Sequence, residues 1–179
     1  MTLEHADKKD LDIVRKLYIR AFPKEERMPF FLIKRGVRRG AEEILIAKED
    51  GVFLGFACLV CDGDLAYLFY FAIDDTKRGK GNGSRILEEL KKRYRGKRLF
   101  LAREQLDEQA DHYEQRMKRH AFYLKNGFVD LPCQMREASV VYDVLGIGGT
   151  VKPAEYERLM DRWCGKWIRR MIRMSITEN

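Results

Sequence analysis

Long apolar runs are missing from this 179-residue chain, and none approaches the ~18 residues that a membrane-spanning helix needs. The first stretch, "MTLEHADKKD", lacks the apolar core of a signal peptide, so the expectation is a cytoplasmic protein with no membrane attachment. Cysteine is sparse, with four residues, and only Cys58 and Cys61 lie close together. Their odd spacing inside "GFACLVC" puts them on opposite faces of a strand, while Cys133 and Cys164 stand alone. That pattern argues against a zinc or disulfide framework and leaves buried thiols in a reducing compartment. The three histidines, His5, His112 and His120, show no ligand spacing, so no metal is expected. Repeats and low-complexity linkers are absent as well. What is present is 45% hydrophobic and 35% charged, enough for a single domain over 1–179 to bury a full core.

The net charge of +7 suits anionic ligands: nucleic acid, a membrane surface or a phosphorylated cofactor. The cations are dispersed in clusters at 34–39, 77–80, 91–98, 116–119 and 166–173. Dispersal, without a single basic stripe interleaved with aromatics, argues against a nucleic-acid module. The tail "RWCGKWIRRMIRM" is basic and amphipathic. Its tryptophans read as the packed side of a closing helix rather than a membrane anchor.

Periodicity predicts a first helix to about Phe22, with Leu11, Val14, Tyr18 and Ala21 on one stripe. Pro23 and Pro29 bracket a charged loop, and "FFLIKRGVRRG" reads as a short second helix. Two strands follow, joined at Asp50–Gly51, and Asp62–Gly63 turns into a third, "LAYLFYFAI", apolar enough to be buried on both faces. Ile86, Leu87, Leu90 and Tyr94 mark the next helix, with Glu88–Lys92 and Glu89–Arg93 pairs expected on its wet side. The strand "KRLFLA" leads to a long helix with Tyr113, Met117, Ala121 and Leu124 expected inward, stopped by Gly127. Two strands and a helix from Pro153 complete a mixed α/β fold, with Tyr156, Leu159, Met160, Trp163 and Trp167 on the last helix's inner side.

Between the third strand and its helix lies "KRGKGNGS", residues 77–84. It fails as a Walker A loop, because no glycine is followed at the right spacing by Lys-Ser or Lys-Thr. It fails as a dinucleotide fingerprint too, because the third glycine position holds Ile86. What remains is Arg78-x-x-Gly81-x-Gly83 at the start of a helix. Glycines there let successive backbone N–H groups face one concavity, with the helix dipole and Lys77, Arg78 and Lys80 adding positive field. That geometry suits a pyrophosphate.

The same "RGKGNG" resembles the acetyl-CoA pyrophosphate loop of the GNAT superfamily of N-acetyltransferases, and "AFYLKNGF" at 121–128 resembles the superfamily's later helix. The resemblance covers about residues 8–148, with a helical extension at about 153–174. It implies a mixed sheet splayed at the cofactor site, with helices on both faces and acetyl-CoA as co-substrate. By it, Arg78, Gly79, Lys80, Gly81, Asn82, Gly83 and Ser84 hold the pyrophosphate. Phe71, Ala72 and Ile73 line the pantetheine, whose amides pair with strand backbone, and a backbone N–H there faces the developing oxyanion. Tyr123 takes the position of the general acid for the departing thiolate. Read without the resemblance, Tyr123 is a packed aromatic at the edge of an apolar stripe. Where superfamily members often carry Asn, seven residues before that tyrosine, this chain has Arg116.

The implied activity is transfer of an acetyl group to a primary amine. Glu26, in the proline-bracketed loop, and Glu104, after "RLFLA", are the candidates to orient and deprotonate that amine, with water as the alternative base. Asp74 is expected to lie too close to the glycine loop for that task. A CoA-binding protein of the same fold without turnover is the competing reading. A homodimer is compatible with everything in the sequence, and the acceptor's identity is not legible.

Overall fold

The computed structural model describes residues 1–110 and 112–178. Among these residues eight strands form one open mixed sheet, in the spatial order Thr2–His5, Glu42–Glu49, Val52–Asp62, Leu65–Ile73, Arg98–Glu104, Val140–Ile147, Val129–Glu137 and Ser175–Glu178. The chain divides into two compact units, residues 1–61 with 68–95, and residues 62–67 with 96–179.

The first unit begins with β1 (Thr2–His5), a short strand that periodicity did not reveal, paired antiparallel to β2 (Glu42–Glu49). Helix α1 (Leu11–Ala21) buries Val14 and Tyr18 of the expected stripe and also Leu17, which lay outside it, while Leu11 and Ala21 are half-buried. It ends just before Pro23, and α2 (Phe30–Arg38) starts immediately after Pro29. Strand β2 turns into β3 (Val52–Asp62) through Asp50 and Gly51, both left-handed at φ 52° and 76°, as the tight Asp-Gly hairpin demands. Strand β4 (Leu65–Ile73) then leads into α3 (Asn82–Arg93). Alternation sorts one sheet face: Ile44, Ile46, Phe56, Cys58, Tyr70 and Ala72 pack with Val14, Tyr18 and Ile33 in one core. On α3 the wet-side pairs are Glu88–Lys91 and Glu89–Lys92, three apart rather than the four expected.

In the second unit, the start of β4 pairs in parallel with β5 (Arg98–Glu104) over Leu65–Tyr67, and β5 pairs antiparallel with β7 (Val140–Ile147) as far as Glu104 opposite Tyr142. Helix α4 spans Tyr113–Lys125 and β6 spans Val129–Glu137. The expected single closing helix is two: α5 (Pro153–Trp163) and α6 (Lys166–Ile172), separated at Gly165, whose φ of 93° a continuing helix cannot use. A further strand, β8 (Ser175–Glu178), pairs with β6. Because the axis breaks at Gly165, Trp167 is 75% exposed instead of packed, and Arg169 is the buried side chain of α6, bound to Glu157 and Asp161. Tyr156, Leu159, Met160 and Trp163 are buried as expected.

Candidate active site

The glycine loop starts where β4 ends, and Asp74 shapes it. Its carboxylate accepts from the Thr76 N–H (3.0 Å) and hydroxyl (2.7 Å), capping the short turn Asp75–Lys77, while Arg20 reaches it at 3.1 Å. The Thr76 hydroxyl, its N–H and Arg20 hold this carboxyl below its usual range, so Asp74 works as a structural anion. Gly79 and Gly81 are left-handed, at φ 75° and 77°. Gly81 is the N-cap of α3 and offers no side chain to the helix, whose first turn also lacks an acid. The opening N–H groups of α3 therefore keep their donors and their partial positive charge for an external acceptor.

Asn82 closes the loop from below. It is 6% exposed, donates from Nδ2 to the Lys77 carbonyl at 2.9 Å and accepts from Arg85 at 3.3 Å; Arg85 is itself ion-paired with Glu49. Its side chain is thus a clip across the loop, which leaves its backbone N–H in the first turn. Arg78 is folded back onto the Ile73 carbonyl (3.3 Å) and Asp75 (2.9 Å), so Lys77 and Lys80 are the loop cations without an ion pair among the described residues. Gly83 and half-buried Ser84 follow as helical residues of the first turn.

Just upstream, Phe71 and Ile73 are half-buried and Ala72 is buried. Their position depends on Gly55 of β3, which motif reading missed. A Cβ on Gly55 would lie 2.4 Å from the Ala72 carbonyl oxygen and 3.0 Å from the Ile73 Cα, so only glycine lets β3 approach β4 there. The available signal was a lone glycine inside a strand pattern.

Glu26 ends a three-residue turn, Lys24–Glu26, in the loop between α1 and α2. Prolines alone do not fix that loop. Tyr70 donates to the Glu26 carbonyl (3.0 Å) and accepts from the Met28 N–H (3.0 Å), and Tyr18 donates to the Met28 carbonyl (2.9 Å). Tyr18 and Tyr70 meet edge-on at 4.8 Å, tying the loop to the core.

In the second unit, Tyr123 owes its setting to the way α4 stops. Gly127, at φ 86°, donates to the Leu124 carbonyl (3.0 Å), and Phe128 donates to the Tyr123 carbonyl (3.2 Å). That is a Schellman stop, completed by contact of the Tyr123 and Phe128 rings at 5.6 Å. The Tyr, Gly and Phe of "YLKNGF" are one device that locks the tyrosine in place. Burial pushes the Tyr123 phenol up to about 12, against a smaller opposing effect of Arg119, so it carries its proton at neutral pH.

The inward face of α4 is not the apolar stripe the sequence suggests. Met117 and Leu124 are 41% and 42% exposed, and Ala121 is exposed too. The covered positions are Tyr113, Arg116, His120, Phe122 and Tyr123; the stripe through 113, 116, 120 and 123 runs at spacings of three and four and is half polar. Arg116 binds Glu104 at 2.8 Å and the Gln105 carbonyl at 3.0 Å, and Arg119 reaches Glu104's other oxygen at 3.3 Å. Glu104 is therefore already clamped by two guanidinium groups. His120 bonds Asp130 at 2.9 Å, and buried Arg103 spans Asp130 (3.4 Å) and Asp143 (3.1 Å). No group of three or more metal-ligating side chains occurs among the described residues.

The model of the Acetyltransferase (GNAT) domain matches residues 40–130, which include the glycine loop and Tyr123. No curated protein matches the chain. A solved structure described as an acetyltransferase of the GNAT family from Bacteroides thetaiotaomicron is 20% identical, with 90% of this chain and 94% of that one covered and a TM-score of 0.71. An aminoglycoside 6'-N-acetyltransferase complexed with coenzyme A is 15% identical, with 86% and 99% covered and a TM-score of 0.63. A ribosomal-protein-alanine N-acetyltransferase from Brucella melitensis is 16% identical, with 82% and 99% covered and a TM-score of 0.61. With half of its length matched by the family model, the chain belongs to the GNAT acetyltransferases.

Proposed function

We propose that the protein is an N-acetyltransferase that moves an acetyl group from acetyl-CoA to a primary amine by direct attack. The observation that carries this reading is the uncapped, acid-free start of α3, approached through two left-handed glycines and flanked by Lys77 and Lys80. A pyrophosphate fits such a nest without disturbing any existing bond.

Acetyl-CoA supplies an activated thioester; the chain's residues hold and polarise it. Backbone N–H groups of Gly79, Lys80, Gly81, Asn82, Gly83 and Ser84 receive the phosphates, with Arg78 anchoring the turn. Phe71, Ala72 and Ile73 offer strand backbone to the pantetheine amides, and an N–H there steadies negative charge on the carbonyl oxygen. Tyr123 gives its phenolic proton to the sulfur as the thioester breaks. The amine must lose a proton first, and Glu26 is the carboxylate proposed to receive it, directly or through water. Glu104 is proposed to act on the acceptor side while holding Arg116 and Arg119.

A screen of amine acceptors that follows CoA thiol release tests the reading. Amine-dependent thiol release is expected. Tight CoA binding with no release for amines of small-molecule, peptide and protein classes would instead make this a CoA-binding protein without turnover.

A further inference from the structure

Arg27, directly after the turn Lys24–Glu26, is the one arginine of the first unit that is not exposed. Its side chain has no ion pair or hydrogen bond among the described residues. The Nε is shut off from solvent without an acceptor, whereas Nη1 and Nη2 are not shut off. A covered guanidinium lacking an acceptor is costly, because water cannot replace the missing bond. The covered stem also holds the group in place, with its Nη edge on offer.

Nothing around Arg27 completes it. Burial raises the Tyr18 phenol to about 12, and the Arg27 charge is among the smaller effects opposing that rise, so the guanidinium lies near this ring. Yet the Tyr18 hydroxyl donates to the Met28 carbonyl. The Tyr70 hydroxyl bonds the Glu26 carbonyl and the Met28 N–H, the residues on either side of Arg27. Tyr70 immediately precedes Phe71, Ala72 and Ile73 in β4, so Arg27 stands beside the strand proposed to carry the pantetheine.

Two parallel N–H donors on the Nη edge match a carboxylate. Lys24, Glu25, Glu26 and Arg27 sum to no net charge, so a doubly charged phosphate finds no surplus cation there. A zwitterion meets both signs, with its carboxylate on Arg27 and its ammonium toward Glu26. Consecutive residues, with Cα atoms about 3.8 Å apart, suit two charged groups borne on one carbon. Phe22, Met28 and Phe30, half-buried against the Tyr18–Tyr70 core, give an apolar surface beside them.

We infer, resting on the acetyl transfer proposed above with Glu26 facing the amine, that Arg27 holds the carboxylate of the acceptor, and that the acceptor is a free α-amino acid with an apolar side chain.

Calorimetric titration of the CoA-saturated protein with N-acetylleucine and with its neutral isostere N-acetylleucinamide tests this without turnover. The carboxylate is expected to bind about tenfold or more tighter. Arg27→Met should erase that preference with CoA affinity unchanged, and Arg27→Lys, which keeps the charge but not the paired donors, should retain part of it. Equal affinity for the two compounds in the unaltered protein, or an undiminished preference in Arg27→Met, would overturn the assignment. Thiol release from acetyl-CoA with leucine and with 3-methylbutylamine is read separately, and leucine is expected to have the higher kcat/KM. Equal kcat/KM would overturn the amino-acid acceptor while acetyl transfer stands. No release from any amine would overturn acetyl transfer itself, and the calorimetric preference decides the ligand of Arg27 either way.

Discussion

Replacing Gly81 by valine separates the loop's backbone requirement from everything else about it. Gly81 sits at φ 77° with no neighbour within 4 Å of a built Cβ, so the substitution meets no collision within the protein. The cost is conformational: an L-residue in the left-handed region loses about 1–2 kcal/mol, more when β-branched. Gly51 is a matched control, left-handed at φ 76° with equally open space, but located in the β2–β3 hairpin. Both variants should therefore lose comparable stability, about 1–2 kcal/mol by urea unfolding. They should part company in calorimetric titration with acetyl-CoA. Strain that the free loop already carries cancels from binding, so the difference in affinity, about tenfold or more, comes from the valine side chain occupying the phosphate nest. Gly51→Val should bind as the unaltered protein does. Equal acetyl-CoA affinity for both variants, with both destabilised, would refute the assignment of this loop to the phosphates.

Tyr123→Phe should lower kcat by ~10²–10⁴-fold with acetyl-CoA affinity nearly unchanged, and full-rate turnover would demote the residue to packing. The raised Tyr123 pKa has a signed consequence: its stabilising effect is complete below pH 10 and is lost as pH climbs toward about 12, so alkaline unfolding should begin later in Tyr123→Phe. Gly55→Ala should cost about 1–3 kcal/mol and also weaken acetyl-CoA binding, because its Cβ displaces the Ala72 carbonyl; a stability loss with intact binding would uncouple β3 from the cofactor strand. Arg103→Ala should destabilise by about 2–3 kcal/mol in urea, below the usual figure for a buried pair because Asp130 and Asp143 remain partly exposed. Glu26→Gln should change the pH profile of kcat/KM once an acceptor is known, and an unchanged profile would assign the base to water.

Much of the architecture was legible because burial follows period. The α1 stripe, the Asp50–Gly51 hairpin and the α3 stripe each placed apolar side chains where the core needed them. Strands β1 and β8 escaped because four-residue strands carry too few alternations, and "TLEH" buries none of its residues fully. Helix α4 departs further from its apolar pattern. A hydrophobic template chose Met117, Ala121 and Leu124, but the covered face is shifted and carries Arg116 and His120, which are satisfied by Glu104 and Asp130 from other strands. Partners distant in sequence cannot be read from helical spacing. Gly165 shows the converse, since one left-handed glycine redirected a helix and exchanged Trp167 for Arg169 as the buried residue. In the glycine loop the residue types were readable, whereas the division of labour was not: Asn82 as a clip, Arg78 turned back on Asp75, and Gly55 behind Ala72.

The central claim is that the first turn of α3 takes the pyrophosphate of acetyl-CoA. Calorimetric titration of the unaltered protein with CoA, phosphopantetheine and pantetheine, under identical salt, tests it most directly. CoA should bind at least about a hundredfold more tightly than pantetheine, with affinity falling as ionic strength rises. Equal affinity for CoA and pantetheine would contradict the account.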